Sequence, residues 1–239
     1  MTFEFTFQNL EHHLRAISDS GYQFVRCIDY FQKSDHFQAG KAKVCVLRVD
    51  IDESPRKAFR LLDIFNRLNI KATFFVRLHA NEYNAFGFEA FRILKLIQAS
   101  GHEIGYHSEI IDQAAIWDEP AEACLKRDLK VLETILDQPV WGIASHGGRT
   151  GLNNLDFWKT HSPKDFGAKY EAYSAQWGFD LFDKSFYISD SEWTRWKCYN
   201  RGSLVPNDFR TPSQHLAEAH HLLYLLVHPE TYFDRHFYE

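Results

Sequence analysis

The chain has 239 residues, with 27 Lys and Arg against 32 Asp and Glu, a formal net charge of −5 at pH 7. That balance excludes a domain whose main task is neutralising a phosphate backbone. Charged residues at 25% and hydrophobic residues at 45% exclude a largely disordered chain, and no Pro-, Gly- or Ser-rich linker divides it, so one domain over residues 1–239 is expected.

Along the chain, strand signals alternate with helix signals. Lys43 to Val49 is a short β-branched run ending at Asp50. A helix follows, with Ser54 to cap it, Pro55 in its first turn, and Ala58, Leu61, Leu62, Phe65 and Leu68 as its apolar stripe. Ala72 to Val76 reads as the next strand. Phe88 to Ser100 reads as a helix, with Phe91, Leu94 and Ile97 inward and Gly101 as its stop. Glu103 to Tyr106 is a strand, and Asp118 to Leu136 a long amphipathic helix. Val140 to Ser145 and Phe186 to Ile188 are further strands. Thr211–Pro212 opens a helix, and Leu222 to Val227 is the last strand. Such alternation predicts parallel βαβ units, which close readily into a (β/α) barrel; the open doubly wound sheet is the alternative. No glycine-rich phosphate loop follows the first strand, so a dinucleotide-binding site is not indicated.

The opening residues lack the basic and apolar segments of a secretory signal, and the longest apolar run is far too short to cross a bilayer. A cytoplasmic protein with no membrane or nucleic-acid partner is expected. Cys27, Cys45, Cys124 and Cys198 form no Cys-x-x-Cys pair, and Cys45 and Cys124 read as buried free thiols.

The polar residues that follow the predicted strands carry the functional signal. They are Asp50 and Asp52, Arg77 and His79, His107, His146, Asp190 and His228. In a parallel barrel the strand C-termini share one rim, where active sites are built. Mixed Asp and His donors suit a divalent metal, zinc most often among hydrolases. Such a metal lowers the pKa of bound water to ~7, while a second carboxylate takes a proton and a histidine supplies one, a kit for amide or ester hydrolysis. Read singly, Asp190 suits a turn cap, and Trp193 and Trp196 suit packing.

The segments LRVDID (47–52), FFVRLHANEYN (74–84), GHEIGYHSE (101–109), SHGG (145–148), DFGAKYEAY (165–173), YISD (187–190) and VHPE (227–230) form an ordered series. It resembles the polysaccharide deacetylase superfamily of carbohydrate esterases, whose fold is a distorted (β/α) barrel, and is most similar to a branch with an LRHDVD-type start. The resemblance implies Asp50 as general base, Asp52 and His107 as metal ligands, and His228 as general acid. Two positions depart from the pattern: Ile111 stands where characterised deacetylases have a second ligand His, and Val49 where the branch has a His. His146 is expected to supply the third ligand, since it follows a neighbouring strand and its glycines allow close approach; Glu109 is the second candidate. Arg149, Glu171, Asp190 and Glu109 are candidates to orient substrate or catalytic groups.

The expected protein is a metal-dependent hydrolase, with zinc, cobalt or nickel. It would remove an N-acetyl or other N-acyl group from an amino sugar or glycan intermediate of surface polysaccharide assembly. The alternatives are a barrel that binds glycan without catalysis and an amidohydrolase of another acyl preference.

Overall fold

The computed structural model describes residues 3–39 and 42–239. The chain runs α1 (Phe7–Asp19), β1 (Tyr22–Val25), α2 (Cys27–Gln38), β2 (Lys43–Ile51), α3 (Pro55–Arg67), β3 (Thr73–Arg77), α4 (Phe88–Ala99), β4 (Glu103–Ser108), α5 (Ile110–Trp117), α6 (Ala121–Leu136) and β5 (Gly142–Ser145). After a stretch of 3-10 turns come β6 (Tyr170–Glu171), α7 (Leu181–Lys184), β7 (Phe186–Ser189), β8 (Lys197–Asn200), β9 (Ser203–Leu204) and β10 (Leu222–Val227). The sheet order is β6-β5-β4-β3-β2-β10-β7-β8-β9. β1 lies beside the first part of β2, on the edge that β3 takes further along. Every pairing is parallel except β7–β8 and β8–β9.

Strand alternation divides the molecule into two cores. In β2, Cys45, Leu47, Val49 and Ile51 face the outer helices, where they meet Leu10 and Leu14 of α1 and Leu61 and Phe65 of α3. Val44 and Val46 face inward and join Phe75, Ala144, Tyr170, Tyr224 and Leu226 in a second cluster inside the curl of the sheet. Gly105 makes room for that filling: a Cβ there would lie 2.5 Å from the Phe75 ring and 2.7 Å from the Gly142 carbonyl.

β6 and β7 are separated by five strands in the sheet order and share no ladder among the described residues. Yet they meet through side chains. The Tyr173 and Tyr187 hydroxyls lie 3.1 Å apart, Phe182 packs on Tyr187 with ring centres at 5.2 Å, and Phe179 stacks on Tyr170 at 4.7 Å. The sheet therefore curls into a distorted (β/α) barrel whose last seam is closed by aromatic rings.

Several elements differ from their expectation. The strand expected to end before Asp50 runs through it to Ile51, because the arginine–aspartate pair described below lets charged side chains stay in the barrel. The expected helix over Asp118 to Leu136 is α6, which starts three residues later, after Pro120; Asp118, at φ 54°, instead caps α5, a helix that was not expected. Phe91 is exposed, and Ala90, Ile93, Leu94 and Ile97 form the inner face of α4. The expected helix after Thr211–Pro212 is a 3-10 turn, Gln214–Glu218. All four cysteines are free and buried. No described helix is long and apolar enough to cross a membrane.

Candidate active site

Beyond Val44 and Val46, the inward face of β2 turns from apolar to charged: Arg48, Asp50 and, just past the strand, Asp52. Arg48 is buried in the middle of the barrel. Its Nε donates to Asp50 Oδ1 at 2.7 Å and its Nη2 to Asp50 Oδ2 at 2.6 Å. Its third nitrogen donates to the Tyr224 hydroxyl at 3.3 Å, and its guanidinium lies over the Phe75 and Tyr173 rings at 5.1 and 4.6 Å. Burial raises the Asp50 pKa, but Arg48, His107 and His228 outweigh it and hold the carboxyl below its ordinary value.

Asp52 has no such partner. Its ion pairs among the described residues are with imidazoles alone: His107 Nε2 at 3.3 Å, His146 Nε2 at 3.7 Å and His228 Nε2 at 4.0 Å. Its Oδ1 is buried without a hydrogen-bond partner of good geometry. Burial again acts to raise its pKa, and the three histidines overcome it and lower it strongly.

His107 projects from β4, two strands from β2. Its Nδ1 donates to the Ala144 carbonyl at 2.8 Å, which leaves Nε2 facing Asp50 and Asp52, each at 3.3 Å. His146 follows β5, and its ring meets the His107 ring edge-to-face at 5.1 Å. Its Nδ1 faces Glu109 Oε1 at 3.3 Å, and Glu109 is itself held by Arg77 Nε at 2.8 Å. Donor atoms of Asp52, His107 and His146 all lie within 4.8 Å of one another. A carboxylate behind a histidine, as Glu109 stands behind His146, is the usual second layer of a metal site.

The loop carrying His146 is fixed by α5. Asn154 donates to the His146 carbonyl at 3.1 Å and accepts from the Ile111 and Asp112 amides at 2.9 and 3.1 Å. The Asp112 carboxylate receives the Arg149 and Thr150 amides. The Ile111 side chain packs against the outer core.

On the opposite side, His228 follows β10. Its Nδ1 donates to Asp190 Oδ1 at 2.6 Å, and its backbone amide donates to Asp190 Oδ2 at 2.8 Å. His228 Nε2 then points at Asp50 and Asp52, each at 4.0 Å. Burial lowers the imidazole pKa, but Asp190, Asp50 and Asp52 more than reverse this and raise it to about 10.

These groups open on a cavity of about 530 Å³, lined also by Arg149, Tyr173, Phe182, Tyr187, Trp193 and Tyr199. Trp193, expected to pack, is partly exposed at its mouth, whereas Trp196 is buried. Glu171 and Asp190, grouped with the substrate-orienting candidates, do not line the cavity. Asp190 is sealed behind His228, and Glu171 accepts the Ser145 and Tyr173 amides, so both are occupied inside the protein. Glu109 does not line it either, since Arg77 covers it. Sequence reasoning missed Arg48, whose place inside the strand run Lys43–Val49 gives no sign of its partner, and the tyrosines, which carry no spacing signal.

The sequence profile of the family described as polysaccharide deacetylase matches residues 38–159. Among curated proteins no sequence matches the chain. Among solved structures, Streptococcus pyogenes deacetylase PplD, in complex with acetate, superposes with a TM-score of 0.52 at 16% identity, over 88% of this chain and 85% of that one. Polysaccharide deacetylase Bc1974 from Bacillus cereus gives 0.48 at 20% identity, over 78% and 79%. The Bacillus anthracis pseudoenzyme BA3943 gives 0.48 at 16% identity over 80% of this chain, which spans only 56% of that protein's length. At these identities the likeness is one of fold.

Proposed function

The chain belongs to the polysaccharide deacetylase family, and on that premise we propose that it is a metal-dependent hydrolase. It removes an N-acetyl group from an amino sugar, as an intermediate of surface polysaccharide assembly. One observation carries the reading: a carboxylate with no arginine or lysine partner among the described residues, Asp52, shares a cavity with His107 and His146 and lies between the Arg48–Asp50 and Asp190–His228 pairs. The orphaned Asp52 Oδ1 and the free edge of His107 suit a cation. A divalent metal held by Asp52, His107 and His146 would polarise the acyl carbonyl and lower the pKa of water there.

The chain's own residues supply the proton transfers. Asp50, kept ionised by Arg48, accepts the proton of the attacking water at its Oδ2. His228 donates its Nε2 proton to the departing nitrogen as the C–N bond breaks, while Asp190 keeps the ring oriented. Arg149 and the aromatic lining bind and orient the sugar, whose apolar faces suit Tyr173, Tyr187, Tyr199 and Trp193.

The test combines metal analysis with amine release from a panel of N-acylated amino sugars. Wild type is expected to bind zinc, cobalt or nickel and release acetate. Asp50→Asn is expected to lower kcat by roughly 10²–10⁴-fold with metal content kept, while Asp52→Ala loses both. Activity equal to wild type in either variant overturns the assignment. Glycan binding without hydrolysis would favour a non-catalytic barrel, and release of another acyl group a different acyl preference.

A further inference from the structure

A second cluster of metal-binding side chains lies outside the barrel mouth, where the connection from β8 to β10 folds back on the outer face of the sheet. Cys198 is on β8, Asp208 in the following loop and His215 in the 3-10 turn Gln214–Glu218, and all three are buried. His215 Nε2 is 3.3 Å from Cys198 Sγ and 3.6 Å from Asp208 Oδ1. Those separations are close to the edges of a tetrahedron around a zinc ion, roughly 3.3–3.6 Å for metal bonds of about 2.0–2.3 Å. One donor atom from each residue lies within 4.8 Å of the others.

The surroundings also suit an ion. The His215 side chain is fully buried, and its Nδ1, on the far side of the ring, has no hydrogen-bond partner of good geometry among the described residues. Glu218 Oε2 faces that nitrogen at 3.6 Å. A cation on Nε2 would keep the ring proton on Nδ1, and Glu218 would stand behind it as acceptor. Arg210 donates to both Asp208 oxygens, at 2.9 and 2.6 Å, and also pairs with Glu218. Asp208 Oδ1 also accepts the Arg210 amide, at 3.2 Å, so a metal bond to that oxygen would take the place of this longer hydrogen bond while the Nε bond stays.

We infer that Cys198, Asp208 and His215 form a second divalent-cation site of zinc type, which fastens the β8–β10 connection to the sheet. That connection contains a two-residue strand and one 3-10 turn, so regular hydrogen bonding holds little of it. As the ion binds, the metal–sulfur bond forms and the thiol proton leaves to solvent. On the other face of β8, Tyr199 lines the large cavity, so the site also steadies a wall of the pocket.

The experiment loads metal-depleted full-length protein with Co²⁺ and follows stoichiometry and thiolate-to-cobalt absorption. The Asp52–His107–His146 group contains no sulfur, so the thiolate band reports this site independently of the deacetylase reading. Wild type is expected to bind about two equivalents and show the band. Cys198→Ser loses the band and falls to about one equivalent, whereas Asp52→Ala keeps the band and falls to about one. Should Cys198→Ser fail to fold, His215→Gln tests the same donor set and also loses the band. Cobalt bound to wild type without a thiolate band, no cobalt bound at all, or a band that survives Cys198→Ser overturns the inference.

Discussion

Arg48 and Asp50 sit two residues apart on one strand face, both buried, joined by two short hydrogen bonds. Removing either charge from water is costly, and each is tolerable only because of the other. Arg48→Met fills similar volume but leaves the Asp50 carboxylate unpaired. It is expected to lower unfolding stability at neutral pH by about 3–5 kcal/mol, measured by urea titration. Asp50→Asn in the same background should restore much of that loss, because the orphaned charge is gone. If Arg48→Met matches wild type in stability, the Asp50 charge is balanced by another group and the pairing described here is not what keeps it buried.

Among the elements, the turn from β2 into α3 is held by the chain that leaves the neighbouring strand β10. Glu230, just after β10, accepts the amides of Glu53 and Ser54 through Oε1, at 2.8 and 2.5 Å, while its Oε2 is buried without a partner. Burial, as the main influence, raises this carboxyl from 4.5 to about 7. A raised folded-state pKa means that the contribution is fully present below 4.5 and is lost as pH rises through about 7. Glu230→Gln keeps the accepting oxygen and removes the ionisation. The variant is therefore expected to gain on wild type as pH rises from about 4 to about 8, by on the order of 3 kcal/mol at full effect. Denaturation profiles that stay parallel over that range would show that the carboxyl titrates normally.

This tie was not legible beforehand, whereas much of the local pattern was. Ser54 caps α3 and Pro55 starts it, as their chemistry requires, and Leu222–Val227 is a strand because an uninterrupted apolar run suits burial on both faces. Failures came where local signals are ambiguous. α5 is only eight residues long and mostly apolar, so it shows no clear stripe, and it stops at Asp118 in a left-handed conformation that Asp tolerates better than most residues. α1 does carry a helical stripe, Phe7, Leu10, Leu14 and Ile17, whereas α2, broken at Lys33, and the two-residue strands β6 and β9 carry too little periodicity to stand out. At the site, reading the residues after each strand brought out Asp50, Asp52, His107, His146 and His228, since parallel strands send their C-termini to one rim. Asp190 and Glu171 were candidates only to orient substrate or catalytic groups, and packing shows that their oxygens are taken.

At the scale of the whole molecule, the barrel's weak point is the seam between β6 and β7, where no ladder of backbone hydrogen bonds forms among the described residues. Rings take its place. Phe179 is fully buried there, stacked on Tyr170 and edge-on to Tyr30 with ring centres 5.7 Å apart. Phe179 does not itself line the large cavity, so its truncation removes none of the proposed catalytic groups. Phe179→Ala is expected to cost about 3–5 kcal/mol, as loss of a buried aromatic side chain does. Closure by side chains also predicts where that loss appears. Amide hydrogen exchange in the variant should speed up most in β6 and β7, which face the seam, and least in β2, which has β1 and β3 on one side and β10 on the other. A small loss of about 0.5 kcal/mol, of the size surface substitutions give, would mean that the aromatic filling does not hold the seam. Exchange that rises equally in every strand would mean that the barrel opens as one unit.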